Sequence, residues 1–317
     1  MKAAVILSAG SAPEYGEFRE PQAAPGKRII RVTGAAISHL TKLRASGQHY
    51  SGGGEYPLVP GVDGTGVTDD GRRVYFFATN PPFGAMAQRC IAGDDQCIEL
   101  PDGIADDVAA AMANPGMSSW AALVDRAAFK AGESVLINGA TGVAGRLAIQ
   151  IAKHLGAKRI VATGRRVELF DELRALGAAV TIGLRQDGAA LRAAFETEFR
   201  NGIDVVLDYL WGESAEAILA ATNVASKDKP IRYVNIGSMA GPQIALPAFA
   251  LRSTPLAILG SGFGSVSPAA LLDAIRGVFA AAPSAGFSVA VRPMPLAEIA
   301  TAWSQPESDA RIVLVPE

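Results

Sequence analysis

The residues whose types and spacing best suit chemistry run from Ser134 to Gly145, Ser-Val-Leu-Ile-Asn-Gly-Ala-Thr-Gly-Val-Ala-Gly. An apolar, β-branched run reads as a buried strand, and a glycine-containing turn then leads directly into helical spacing, with Val143, Leu147, Ile151 and Leu155 on one face. Such a turn makes an anion site. The first N–H groups of the helix lack intrahelical partners, the helix dipole favours negative charge there, and a missing side chain lets a pyrophosphate approach. The spacing Ala140-x-Gly142-x-x-Gly145 is one glycine short of the full dinucleotide fingerprint, so an ordinary tight turn is the competing reading. Gly142, Val143, Ala144 and Gly145 are expected to face the pyrophosphate, and Ala140 and Thr141 are counted with them as cofactor-binding.

Two further positions bear on which anion. The strand expected at 159–163 runs into Gly164-Arg165-Arg166, with no carboxylate before Glu168. In a dinucleotide fold this strand ends near the adenosine ribose, where an acid would accept from a 2′-hydroxyl and repel a 2′-phosphate. Two guanidinium groups beside a small residue suit the phosphate, so the pattern favours NADPH over NADH. The alternative is that Arg165 and Arg166 simply start an exposed helix, although helix N-termini disfavour cations.

The elements that must position these groups follow from periodicity. Between 134 and 262, strand candidates at 135–138, 159–163, 179–182, 203–208, 231–236 and 256–259 alternate with helical segments such as 167–176 and 189–199. This alternation implies βαβ units and a mostly parallel sheet covered on both faces. The first 112 residues read as short strands (5–7, 27–32, 64–67, 73–77) punctuated by Pro-Gly and Asp-Gly turns, which suggests a barrel-like unit. Gly52-Gly53-Gly54 reads as a flexible loop. A helix at 105–113 is expected to break at Asn114-Pro115-Gly116, with Ser118 and Ser119 placed to begin another. A long helix at 268–281, a strand at 287–291 and a closing strand at 311–315 return the tail to β character. The reading is therefore α/β: a doubly wound parallel sheet over 118–264, inserted in a β-rich barrel unit made of 1–117 and 265–317.

Composition limits the function classes. With 317 residues, 49% hydrophobic and 19% charged, the chain can bury a sizeable core, and a net charge of −2 gives no general attraction for nucleic acid or an anionic membrane. No run is long enough to span a bilayer, and the apolar N-terminal run is too short for a signal peptide, so a cytoplasmic location is expected. The two cysteines, Cys90 and Cys97, cannot complete a four-thiolate zinc site and are expected as free thiols.

With these residues in hand, the chain resembles the medium-chain dehydrogenase/reductase superfamily, in its zinc-free quinone oxidoreductase branch. The resemblance covers nearly the whole length. It is carried by 60–67 (Pro-Gly-Val-Asp-Gly-Thr-Gly-Val), by 138–145 with Ile149 to Lys153 and Leu155-Gly156-Ala157 behind it, by Val206-Leu207-Asp208 and Asn235-Ile236-Gly237, and by Ala302-Trp303 with 311–316. It implies a GroES-like substrate domain with a Rossmann domain inserted, and a site between them. Zinc-dependent relatives carry a Cys where this chain has Ser38, a Gly-His-Glu where it has Gly61-Val62-Asp63, and a further thiolate near Pro115. No metal is therefore expected. Without a Lewis acid, an acceptor that spreads the incoming charge is the easier one. The resemblance thus implies an NADPH-dependent, zinc-independent reductase acting on a quinone or an α,β-unsaturated carbonyl. A metal-free ketone or alcohol oxidoreductase and a non-catalytic, crystallin-like NADPH-binding protein are the alternatives.

The resemblance also nominates residues. Tyr50 is placed as a proton donor to the developing oxygen, or else as a half-buried packing residue; Ser38 is placed as a hydrogen-bond donor to substrate or nicotinamide ribose. Asn235, Gly237 and Ser238 are expected to line the adenine–ribose side or the cleft, and Gly260, Ser261, Gly262 and Phe263 the nicotinamide amide. Arg311 is read as reaching a phosphate or as a surface residue. His39, His49 and His154 are expected to be solvated or satisfied, Asp63 to brace a strand corner, and Tyr56, Phe263 and Trp120 to wall a pocket or fill core. A homodimer through the sheet edge at 231–236 and 256–259 completes the expectation.

Overall fold

The computed structural model describes residues 1–50, 55–306 and 309–317. Strands β1 (Lys2–Val5), β2 (Glu14–Glu17) and β3 (Lys27–Ala36) precede helix α1 (His39–Ala45). Then come β4 (Asp63–Thr68), β5 (Arg73–Phe77), β6 (Arg89–Gly93), β7 (Cys97–Glu99) and α2 (Asp106–Ala121). The alternating stretch is β8 (Ser134–Asn138), α3 (Val143–His154), β9 (Arg159–Gly164), α4 (Phe170–Leu176), β10 (Val180–Gly183), α5 (Gly188–Arg200) and β11 (Val205–Asp208). It continues through α6 (Gly212–Ala221), β12 (Ile231–Asn235), α7 (Ala248–Ser253), β13 (Leu256–Gly260) and α8 (Pro268–Ala285). The chain closes with β14 (Val291–Pro295), α9 (Ile299–Ser304) and β15 (Arg311–Val315). The loop expected at Gly52-Gly53-Gly54 lies outside the described residues.

The chain divides into two units, Met1–Asn114 with Ser288–Glu317, and Pro115–Phe287. In the first, a sheet runs in the order β14-β15-β3-β4-β5-β7, with β6 also pairing with β3. Its core gathers Ile30, Val32, Phe76, Met86, Ile299 and Leu314, all buried. Gly66 is forced by close approach, since a Cβ there would lie 2.4 Å from the Arg31 carbonyl oxygen. In the second unit, six strands run in the order β10-β9-β8-β11-β12-β13, every pairing parallel. That is the doubly wound arrangement, with its switch point between β8 and β11. Val135, Leu136, Ile137, Val205, Val206 and Leu207 are all fully buried, as strands covered on both faces require. Phe195 and Phe199 of α5 and Ile218 and Leu219 of α6 pack against one face.

Three elements differ from their expected form. Helix α2 does not break at Asn114-Pro115-Gly116 but runs on to Ala121 and ends in a π-helical turn, Ala122–Arg126. Proline removes the donor that the Ala111 carbonyl would take, and the Pro115 carbonyl itself accepts from the hydroxyls of Ser118 and Ser119, at 2.8 and 3.0 Å. Gly116 is there for packing, because a Cβ would stand 2.9 Å from Val278 of α8. The strand expected at 287–291 lies at Val291–Pro295, since Gly286 ends α8 in the left-handed region and the Phe287 amide bonds back to the Ala282 carbonyl. Pro293 and Pro295 are tolerated because β14 is an edge strand. The N-terminal strand lies earlier than 5–7, leaving Leu7 60% exposed.

Candidate functional site

The turn after β8 is tight against the sheet and open on the other side. Gly139 sits at φ +94°, with Leu210 where a Cβ would go. The Ala140 amide donates to the Thr163 carbonyl at 2.7 Å, which ties the turn to β9. Thr141 packs onto Gly164, where a Cβ would be 2.3 Å from its methyl group. A Cβ at Gly145 would be 2.5 Å from the Ala140 Cα, so this glycine sets the closeness of helix to strand. Gly142 differs from these. It is the exposed N-cap of α3 at φ −80°, no side chain caps the helix, and the nearest atom to a Cβ there would be the Gly139 carbonyl oxygen, 3.7 Å away. The first-turn N–H groups of α3 thus point out of a twelve-residue helix with no side chain across them.

Below the turn lies a buried polar network. Asn138 donates to Asp208 (2.7 Å) and Ser214 (2.9 Å) and accepts from the Thr163 hydroxyl (2.7 Å). Asp208 also accepts from the Tyr233 hydroxyl (2.7 Å) and from the amides of Leu210 and Trp211. Burial first, and then Asp208, push the Tyr233 phenol well above its ordinary pKa, so it stays a donor. Four strands, β8, β9, β11 and β12, are pinned to one another through these side chains. Beside them the Ser119 and Tyr209 hydroxyls meet at 2.7 Å. Sequence reading missed this network; the signal available was a polar residue ending each of several apolar strands.

The other expected residues of this unit lie at the carboxyl ends of the strands. After β9, Arg165 is exposed, whereas Arg166 donates to the Thr141 carbonyl at 2.7 Å and so braces the turn. Glu172 of α4 pairs with Arg146 at 3.0 Å. The side chain of Asn235 donates to the Gly237 carbonyl, and its own carbonyl accepts from the Ser261 amide at 2.8 Å, so the ends of β12 and β13 are joined. Ser238 is exposed and Phe263 half-buried. Arg126 donates to the Gly260 carbonyl at 2.7 Å, and Ser265 accepts from the Gly262 amide at 2.9 Å.

Ser38, Tyr50 and Arg311 belong to the first unit. Ser38 is the N-cap of α1: its hydroxyl oxygen accepts from the Thr41 amide at 3.1 Å and lies 2.9 Å from the Thr41 hydroxyl. Tyr50 is 73% exposed, not half-buried, and its ring lies 4.2 Å from that of His49. Burial lowers the His49 pKa, with Arg44 and His39 adding to the shift. Arg311 donates to the Ile37 carbonyl at 3.2 Å. Asp63 is buried and accepts from the Tyr75 hydroxyl at 2.7 Å. Tyr56 donates to the Ala45 carbonyl and, partly buried, packs against Ile6 and Leu58. In the second unit, Trp120 packs against Gly277 and the ring of His154. Among the described residues no group of three or more His, Cys, Asp or Glu could hold a metal ion, and both cysteines are free thiols.

Comparison with known proteins adds to this geometry. The family described as zinc-binding dehydrogenase matches residues 144–277, a stretch inside the second unit that includes neither Ser38 nor Val62 and Asp63. A probable NADPH-dependent quinone reductase of Emericella nidulans is 27% identical over the full length of both chains. Among solved structures, the quinone oxidoreductase of Thermus thermophilus, also determined with NADPH, is 26% identical and superposes with a TM-score of 0.82 over 99% of this chain and 100% of its own. A mycobacterial quinone oxidoreductase, at 21% identity, shares the fold over the full length of both chains with a TM-score of 0.86. With a Rossmann unit set into a GroES-like one and full-length relatives of this kind, the chain is similar over its whole length to quinone oxidoreductases of the medium-chain dehydrogenase/reductase superfamily.

Proposed function

We propose that this protein is an NADPH-dependent reductase that delivers hydride to a quinone, or to the β-carbon of an α,β-unsaturated carbonyl, without a metal ion. The observation that carries the reading is Gly142: an uncapped, exposed helix N-terminus whose missing side chain nothing in the protein fills. A pyrophosphate fits that cradle, with the amides of Val143, Ala144 and Gly145 as donors. Arg165, exposed at the end of β9, is the residue assigned to the 2′-phosphate. Arg166 supports it by holding the Thr141 carbonyl. The relatives with NADPH in their names support the same coenzyme.

When bound, NADPH supplies the hydride. The residues at the positions where zinc-dependent relatives hold their ligands are a serine, a valine beside a buried aspartate, and a proline. Those residue types give no thiolate or imidazole to a Lewis acid, so the acceptor must carry its own polarisation. Tyr50 is assigned as a proton donor with water as the alternative, and its exposure leaves the phenol accessible. Ser38, half-exposed at the cap of α1, is assigned to hold a substrate or ribose oxygen. Asn235, Gly237, Ser238 and the 260–263 segment are assigned to the remainder of the coenzyme. The half-buried edge strand β13 is assigned to pairing with a second copy.

The test is NADPH consumption over a panel of quinones, enones and simple ketones, with and without a chelator. Quinones or enones should be reduced at rates the chelator does not alter, and Arg165→Ala should raise the KM for NADPH several-fold while leaving that for NADH unchanged. Activity confined to ketones, or abolished by the chelator, would contradict the reading.

A further inference from the structure

Helix α1 carries a cation for which the described residues of the first unit provide no hydrogen-bond or ion-pair partner. Arg44 lies in the last turn of α1, half-buried, and its guanidinium makes no hydrogen bond or ion pair among the described residues. A guanidinium has five N–H donors and does not give up its charge, so withdrawal from water without an acceptor is unfavourable. Burial pulls its pKa down, and only the charge of Asp63 opposes this. Asp63 favours the cation only through space: its carboxyl accepts from the Tyr75 hydroxyl at 2.7 Å and makes neither a hydrogen bond nor an ion pair with Arg44.

Arg44 faces a cavity of about 40 Å³ that it lines with Thr41, Gly61, Val62, Thr79 and Gly84 among others. Three carbonyl groups of that wall already have donors. Pro60 accepts from the Met86 amide (3.0 Å), Gly61 from the Ala85 amide (3.1 Å) and the Thr79 hydroxyl (2.5 Å), and Val62 from the Thr79 amide (3.1 Å). A water centre needs about 10–15 Å³ by this measure, so the space is the size of about three waters or one carboxylate, and it opens to solvent. Thr41 on the same wall has its hydroxyl 2.9 Å from that of Ser38, so the cavity adjoins a residue assigned to the substrate.

We propose that this cavity is a carboxylate subsite, in which the planar fork of Arg44 takes the acid group of an organic acid. The acid is carried either by the substrate of the reductase reaction proposed above, on which that arm rests, or by a free small acid.

The first test needs no coenzyme. Calorimetric titration and thermal unfolding are followed with sodium formate at ionic strength held constant by a bulky sulfonate salt, for wild type, Arg44→Met and Arg44→Lys. Arg44→Met keeps the alkyl stem and removes the half-buried charge, so it is expected to fold. Formate should bind the wild type and raise its Tm, bind Arg44→Lys at least about fivefold more weakly, and leave Arg44→Met unaffected. No binding to the wild type, or an equal Tm shift in Arg44→Met, overturns the subsite while leaving the reductase reading untouched. The second test compares an enone acid with its methyl ester in NADPH turnover. A wild-type KM about tenfold or more lower for the acid, with the ratio falling to about one in Arg44→Met, assigns the carboxylate to the substrate. Equal KM values together with Arg44-dependent formate binding assign it to a free acid. Formate binding without turnover of any acceptor upholds the subsite and removes the reductase reading.

Discussion

Asp63 starts β4 with its carboxyl inside the first unit, 3% exposed. Burial pushes its pKa up to about 6, against the Tyr75 hydroxyl, Arg311 and Arg44, which all favour the charged form. The unfolded chain releases this proton near the ordinary value of 3.8. Between about pH 4 and pH 6 the folded state therefore holds more protons, and stability falls as pH rises through that window. A shift of about two units corresponds to roughly 3 kcal/mol, to order of magnitude. Asp63→Asn keeps an acceptor for Tyr75 and cannot ionise. In urea unfolding it should gain about 2–3 kcal/mol on wild type between pH 4 and pH 8, and parallel pH curves would contradict this. At this scale the sequence reveals residues whose role is local. The glycines of the 139–145 turn are recognisable because a turn needs them where they stand. Arg44, and the Asn138–Asp208–Tyr233 network, are not recognisable, because their surroundings come from segments tens of residues away.

Strand β13 closes one edge of the parallel sheet, and Leu256 to Leu259 are each only half-buried although the strand pairs in register with β12. A half-buried edge with free backbone groups is a template for another strand. Placing a charge there should prevent pairing: sedimentation velocity should find the wild type dimeric and Ala257→Lys monomeric. A monomeric wild type, or an unchanged dimer in the variant, would contradict the assignment. The parallel strands were readable because burial on both faces writes them as continuous apolar runs, of which β8 and β11 are the clearest. Helix α2 was not, since proline at 115 carries a strong local message to stop. The close packing of Val278 of α8 against Gly116 outweighs it. Strand β14 was displaced for a related reason: Pro293 and Pro295 argue against a strand everywhere except at an edge.

At the scale of the molecule, alternation of strand and helix locates the sheet but not the limit of its unit. The reading from sequence ends the second unit at 264, whereas it extends to Phe287, because α8 packs on Trp120 through Gly277 and on Gly116 through Val278. Such contacts between distant segments leave no periodic trace. The central claim is that a pyridine dinucleotide lies across the turn at Gly142, and two glycines of that turn separate binding from folding. Ala at 145 meets backbone at 2.5 Å and should lower the Tm; Ala at 142 meets nothing in the protein closer than 3.7 Å and should leave it unchanged. The direct measurement is a fluorescence titration of NADPH into wild type and Gly142→Ala, each checked by thermal unfolding. The account predicts saturable binding to wild type and an affinity at least about tenfold weaker in a Gly142→Ala protein of unchanged Tm. Equal affinity in the two proteins, or no binding to wild type, would contradict it.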